Sequence, residues 1–275
     1  MADNGEMIGN IYREVWQTFQ NNALVDANVP QADLATLQEA CGSDLSKFRR
    51  YLKRRIFGER VPYIVGYQDF CSLRFTVDRR VYIPDWDGVF LVDTVTELAE
   101  RKFATEGRPI TLLEAGVGSG CLAITLKSRL GEKVRVIGVD IDTAALDVAR
   151  ENVKRHGVEV ELIESDLFEA VPADVVPSIV YSNPPWGNED PTHYGERSLS
   201  YFLEMPRIAS FAVDGVTELH ESIIGGDRQR GWGADILLYN GVMDRDNLER
   251  LKTLTPWSDV LWFDNETYSL LHCRN

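Results

Sequence analysis

LLEAGVGSGCLAIT, residues 112 to 125, runs from an apolar stretch through three glycines into a helical pattern. We read it as a strand, a glycine-rich turn and a helix. Gly116, Gly118 and Gly120 let the backbone approach a bound molecule closely, and the helix that follows offers unpaired N–H groups and a positive dipole end. The bland alternative is a tight strand-to-helix turn that touches no ligand.

Working outward, strand and helix patterns alternate from about residue 87 to the end. The expected strands are ITLLEA, VRVIGVD, VEVELIE, SIVYS, ADILLYN, DVLWFD and YSLLHC. Parallel neighbours need helical crossovers, so the alternation implies an α/β domain with a mostly parallel sheet. Only the turn NET separates the last two strands, which should therefore pair antiparallel. Residues 188 to 233 resist assignment beyond a helix around Gly215 to Ile224, and a segment of that length after a strand end suits a substrate-covering element.

Upstream, residues 8 to 57 show helical periodicity interrupted at NVPQADL and CGSDLSK, with Asp33 and Ser43 or Asp44 as expected caps. KFRRYLKRR, residues 47 to 55, holds six bases in nine positions. Phe48, Tyr51, Leu52 and Ile56 share one helical face, so the bases read as the solvated side of an amphipathic helix. Between Gly58 and Pro84 the short β-prone runs VPYIVGY, LRFTVD and RVYIP suggest a hairpin. The expected organisation is a helical domain over 1–57, a β-hairpin linker over 58–86 and an α/β domain over 87–275.

Bulk composition narrows the function. The 275 residues are 44% hydrophobic, enough for a full core, and no run of about 18 apolar residues suggests a membrane span. Four dispersed cysteines, with no C-x-x-C pair, indicate neither a metal site nor a disulfide framework and fit a reducing, cytoplasmic setting. A net charge of -14 repels phosphate backbones and speaks against a nucleic-acid partner.

Three elements describe an adenosine-binding cleft. The glycine turn is spaced G-x-G-x-G after Glu114, whereas nicotinamide and flavin enzymes use G-x-G-x-x-G. Asp140 closes the second strand, where a carboxylate can accept both hydroxyls of a ribose. Asp166, in IESDLF, lies just past the third strand and could accept from an adenine amine or simply cap a helix. Asp140 by itself does not separate a nicotinamide cofactor from S-adenosylmethionine.

SNPPWG, residues 182 to 187, ends the fourth strand beside this cleft. Its prolines fix φ, remove donors and hold Asn183 extended. Asn183 and the Pro184 carbonyl can then accept the two hydrogens of a planar NH2 group, with Trp186 offering a flat face to the same group.

Together these stretches resemble the HemK/PrmC glutamine N5-methyltransferases, a family of class I S-adenosylmethionine-dependent methyltransferases. GERVPYIVGYQDFCSLRFTVDRRVYIP is similar to the family's hairpin linker, LLEAGVGSGCLAIT to its cofactor loop, SNPPW to its N-P-P-Y motif and FAVDGVTELHESI to a later helix. The resemblance implies a Rossmann-like seven-stranded sheet with an antiparallel C-terminal hairpin, a small N-terminal helical domain, and methyl transfer from S-adenosylmethionine to nitrogen. It carries cofactor and acceptor roles to Gly116, Gly118, Asp140, Asp166 and Asn183. The full expected cofactor set adds Glu114, Gly120, Ile141 and Leu167, and Asn183, Pro184 and Trp186 form the expected catalytic set.

Three departures fall near the expected acceptor pocket: IPDWDGV replaces I-P-R-P-E-T-E, NPPW replaces N-P-P-Y, and LLYNG replaces L-L-E-H-G. The expected acceptor is therefore a glutamine-bearing protein or a small molecule carrying an amide, guanidine or amine. The acid-rich NEDPTHYGE, with Glu189, Asp190 and Glu196, reads as a solvated loop or a partner for a cation. Rival readings are an adenine N6-methyltransferase, a nicotinamide-dependent oxidoreductase and a catalytically silent cofactor-binding subunit.

Overall fold

A strand made almost wholly of apolar residues is stable only with both faces covered, and the central strands here meet that condition. The computed structural model describes residues 9, 11 and 13, and 29 to 274 apart from 186, 188–201, 213–214, 242, 256 and 265. The chain forms two compact units, Met1–Tyr67 and Gln68–Asn275, which divide the expected linker between them.

The first unit holds helices α1 (Gln31–Cys41), α2 (Leu45–Ile56) and α3 (Val61–Val65). Leu37, Phe48, Leu52, Ile56, Val61 and Ile64 pack into its core. Asp44 caps α2 as expected, its carboxylate accepting from the Lys47 N–H at 2.9 Å. Asp33 does not cap α1: the helix starts behind Pro30, and Asp33 lies in its first turn, 2.6 Å from Arg55. The basic run is the outer face of α2, with Arg54 paired to Glu59 and Arg55 to Asp33.

VPYIVGY departs from the β-strand expectation by forming α3. Pro62 at the helix start has the φ a first turn needs, and Gly66 closes the helix in the left-handed region at φ 85°. Burial of Val61, Tyr63 and Ile64 outweighs the strand preference of their branched and aromatic side chains.

The second unit opens with a hairpin of β1 (Tyr67–Phe70) and β2 (Leu73–Thr76), turned by Cys71 and Ser72 at φ 47° and 64°. RVYIP, expected as a strand, is irregular, because Val81 closes a turn back onto the Asp78 carbonyl at 3.1 Å. Helix α4 (Gly88–Glu106) follows. The chain then alternates through β3 (Ile110–Ala115), α5 (Cys121–Leu130), β4 (Val134–Asp140), α6 (Thr143–His156), β5 (Glu161–Glu164), β6 (Ile179–Ser182), α7 (Arg207–Ser210), α8 (Glu218–Arg230), β7 (Asp235–Gly241), α9 (Arg245–Thr253), β8 (Ser258–Phe263) and β9 (Tyr268–Cys273).

The sheet order is β5-β4-β3-β6-β7-β9-β8. The first five strands in that order run parallel, and β9 is antiparallel to both β7 and β8. Alternating residues feed two cores. Leu112, Val136, Tyr181 and Leu237 pack against α4 and α5, whereas Leu113, Ile137, Val180 and Leu238 pack against α8 and α9. Among the described residues no helix is long and apolar enough to cross a membrane.

Candidate functional site

The direction of the sheet reverses beside β3: β4 and β5 extend it one way and β6 returns to the other flank. Such a switch point leaves a crevice at the carboxyl ends of the strands. A cavity of about 320 Å³ opens there, lined by the ends of β3, β4 and β6 and the loops that follow them. That is room for a small organic molecule.

Backbone builds the β4 side. Gly116 and Gly118 sit at φ 74° and 52°, and a Cβ on either would stand in open space, so only conformation demands glycine there. The N–H groups of Gly116 and Val117 both donate to the Val139 carbonyl at 2.9 Å, which pins the turn across β4. Val117 in turn fills the place of a side chain at Gly138, whose added Cβ would lie 2.5 Å from Val117 Cγ2. The Gly118 N–H donates to Asp140 Oδ2 at 2.8 Å, and the Asp142 N–H donates to Oδ1 at 3.0 Å. Each carboxylate oxygen keeps lone-pair capacity for the cavity. Burial pushes the Asp140 pKa up, and the two N–H donors oppose the shift.

Glu114, Ile141, Asp166 and Leu167 also line the cavity. Glu114 is buried and accepts from the Tyr181 hydroxyl at 3.1 Å, which links β3 to β6. Desolvation raises its pKa well above the usual carboxylate value, against the opposing hydrogen bonds from Tyr181 and the Ala123 N–H. Ile141 is 52% exposed, an unusual state for an isoleucine beside a cavity. Gly120 differs from the rest of the expected set: it does not line the cavity, and a Cβ there would meet Ile124 Cδ1 at 3.1 Å and Ala149 Cβ at 3.4 Å. Its glycine serves close packing of the turn against α5 and α6.

On the β6 side, the Ser182 hydroxyl donates to the Ala115 carbonyl at 2.6 Å and locks the two strand ends together. Asn183, Pro184 and Pro185 then line the cavity. Trp186 lies outside the described residues, as do Glu189, Asp190 and Glu196. Gly187 brings a second segment alongside, its N–H donating to the Ser210 carbonyl at 3.0 Å and its carbonyl accepting from Ala212 at 3.2 Å. Phe202, Ile208 and Phe211 thereby become wall. The altered stretch IPDWDGV contributes Pro84, Asp85, Asp87 and Gly88, and Tyr82 donates to Asp85 at 2.9 Å. Trp86 stands 57% exposed, edge-on to Phe90 and Tyr268.

Asn152 has a role that sequence reasoning missed. Fully buried on α6, it accepts from the Thr76 N–H at 2.7 Å and donates to the Thr76 carbonyl at 3.0 Å and the Ser119 carbonyl at 2.9 Å. It therefore ties the glycine turn to the hairpin. Its position three residues after Ala149, on the apolar side of α6, was the legible signal.

Comparison with known proteins places this geometry. A family model described as "Methyltransferase small domain" matches residues 86–197, from the IPDWDGV stretch through the SNPPWG corner. A release factor glutamine methyltransferase of Koribacter versatilis is 30% identical over 200 residues, covering 73% of this chain and 62% of that relative. Over most of its length the chain is similar to these HemK/PrmC-type methyltransferases. Another relative of the same name, from Chlorobaculum tepidum, is 36% identical over 106 residues, or 38% of this chain and 36% of the relative. The chain thus spans less than two thirds of the length of these relatives.

Solved structures agree on the fold of this chain. A T. thermophilus 16S rRNA methyltransferase in complex with AdoMet and guanosine superposes with a TM-score of 0.54 at 17% identity, covering 76% of this chain and 49% of that one. A human methyltransferase 10 domain containing protein superposes at 0.52 with 15% identity, covering 88% and 97%. The sheet of this chain is the class I methyltransferase sheet, with its antiparallel last strands.

Proposed function

We propose that this chain is an S-adenosylmethionine-dependent N-methyltransferase that acts on a planar NH2 group. One observation carries the reading: a single cavity joins the glycine turn and Asp140 to Asn183 and Pro184. The β4 side suits the donor. Gly116 and Gly118 leave open space where side chains would stand, Asp140 offers two anchored acceptor oxygens for a ribose, and exposed Ile141 offers an apolar face for a base. Asp166 would accept from the adenine amine, with Leu167 beside it.

When bound, S-adenosylmethionine supplies an electrophilic methyl on a positively charged sulfur. The chain's part is positioning. The Asn183 side-chain oxygen and the Pro184 carbonyl accept the two N–H hydrogens, so the nitrogen pair points along the line of transfer. That pair forms the new N–C bond while the S–C pair returns to sulfur, and the surplus N–H proton leaves to solvent. The same two oxygens stabilise the positive charge that develops on nitrogen. Trp186, adjacent in sequence, is assigned the acceptor's flat face.

The acceptor class follows from charge and kinship. Among the described residues lining the cavity Arg80 is the one base, and it is tied to Asp78 at 2.7 Å and Glu151 at 3.3 Å. Among the described lining residues a phosphate backbone would meet no uncommitted cation. The glutamine amide in the relatives' name is the acceptor we favour, with amide-, guanidine- or amine-bearing small molecules as the alternative. Incubation with methyl-labelled donor and, separately, a glutamine-bearing release factor, arginine-type metabolites and oligonucleotides tests this. Label on the protein or metabolite supports the proposal, and label on oligonucleotide alone overturns the acceptor class.

A further inference from the structure

The turn that follows β5 is held in place from the far end of α8. Leu167 adopts φ 42°, a left-handed conformation that a leucine does not hold unaided. Local bonds supply part of the restraint, with Ser165 donating to the Asp140 carbonyl at 2.9 Å and Ala170 donating to Ser165 Oγ at 2.9 Å. The rest comes from α8 and the residues just after it.

Arg230 Nη2 donates to the Phe168 carbonyl at 2.8 Å and also to the Val171 carbonyl. Its guanidinium lies 5.1 Å from the Trp232 ring centroid, and that ring meets Phe168 edge-on at 5.0 Å. Phe168 fits only because α8 carries glycine at 226, where a Cβ would stand 2.7 Å from Phe168 Cδ2. Asp227 fixes the approach of Trp232, its carbonyl accepting from the Trp232 N–H at 3.2 Å. None of Arg230, Trp232 and Gly226 lines the cavity.

We infer that Arg230 is a positioning residue for adenine recognition: with Trp232 and Gly226 it clamps Phe168 and so fixes Asp166 and Leu167 against the base of the methyl donor. The inference rests on the donor site proposed above and adds a specificity role for residues outside the cavity. A guanidinium suits the task because it serves two carbonyls at once while stacking on an indole, whereas an ammonium is a compact point charge.

Binding of S-adenosylhomocysteine and its N6-methyl analogue, measured by calorimetry on the whole chain, tests it. Wild type should prefer the unmethylated base. Arg230→Met should weaken S-adenosylhomocysteine by about tenfold, the size expected when a charge-assisted hydrogen bond is lost, and should shrink the preference between the two ligands toward unity. Arg230→Lys, the milder change should the first variant not fold, should fall between. General destabilisation would lower the melting temperature and both affinities together, leaving their ratio unchanged. An unchanged ratio in either variant overturns the clamp, and failure of wild type to bind S-adenosylhomocysteine overturns the donor site itself.

Discussion

On the proposed donor side of the cavity the walls are strand ends and main chain: Gly116, Val117 and Gly118 hang from Val139 and Asp140, and Asn152 braces the turn from behind. On the acceptor side, beyond Asn183 and Pro184, they are side chains from three irregular or short segments, Tyr82 to Gly88, Phe202 to Phe211, and the first turns of α8. The contrast suits two kinds of ligand. A donor shared by many methyltransferases can be read by fixed backbone, while an acceptor peculiar to one enzyme is read by parts that substitution can remodel without touching the sheet.

The sharpest way to break this division is Asn183→Ala. Turnover should fall by about 10²- to 10³-fold, as when a group that stabilises developing charge is removed. Affinity for S-adenosylhomocysteine should stay near wild type in calorimetry, and a parallel loss of both would erase the distinction. Asp140→Ala should do the reverse, weakening S-adenosylhomocysteine by roughly ten- to a hundredfold through loss of its acceptor oxygens. Steady-state rates at saturating donor should then recover most of their value.

Ile208→Ala trims a residue that is 53% exposed and lines the cavity on the wall we assign to the acceptor. It should raise KM for the acceptor by about three- to tenfold, the range for a small change in apolar pocket contact, with donor affinity unaltered. Glu114→Gln is the mildest change and reads the seam between the halves. Burial raises the Glu114 pKa above its ordinary 4.5, so the folded state binds a proton that the unfolded chain releases. The stability this gives is complete below about pH 4.5 and is lost as pH rises through the folded value. The glutamine variant has no such loss, so its melting temperature should gain on wild type by roughly 2–4 °C between pH 5 and 8. A constant difference across that range would show that Glu114 is ionised in the fold.

The same contrast governs what could be read from sequence. Buried strands appear as apolar runs, and ITLLEA and YSLLHC coincide with parallel β3 and antiparallel β9 to the residue. The glycine turn, Asp140 and Asn183 were legible because strand ends announce the residues that follow them. VPYIVGY misled because five residues are too few for helical periodicity to show, and the signals that decided it were Pro62 and Gly66. Phe202, Ile208 and Phe211 carry no period at all; they reach the cavity through backbone pairing at Gly187, which no local pattern encodes. Gly120 was assigned to the cavity by motif, whereas its φ of 79° and its neighbours Ile124 and Ala149 show that a glycine in such a turn can answer to conformation and packing away from the cavity.

The placement of β9 imposes a sequence of events. It follows β8 in the chain yet lies between β8 and β7, and β8 has no other neighbour in the sheet. β8 is therefore unable to join until the later strand has paired with Leu237 and Leu238. A hairpin of the two strands alone is marginal, so their stability depends on the docking edge that β7 provides. Mutations on β9 that weaken this edge, such as at Leu271, should therefore loosen β8 together with β9.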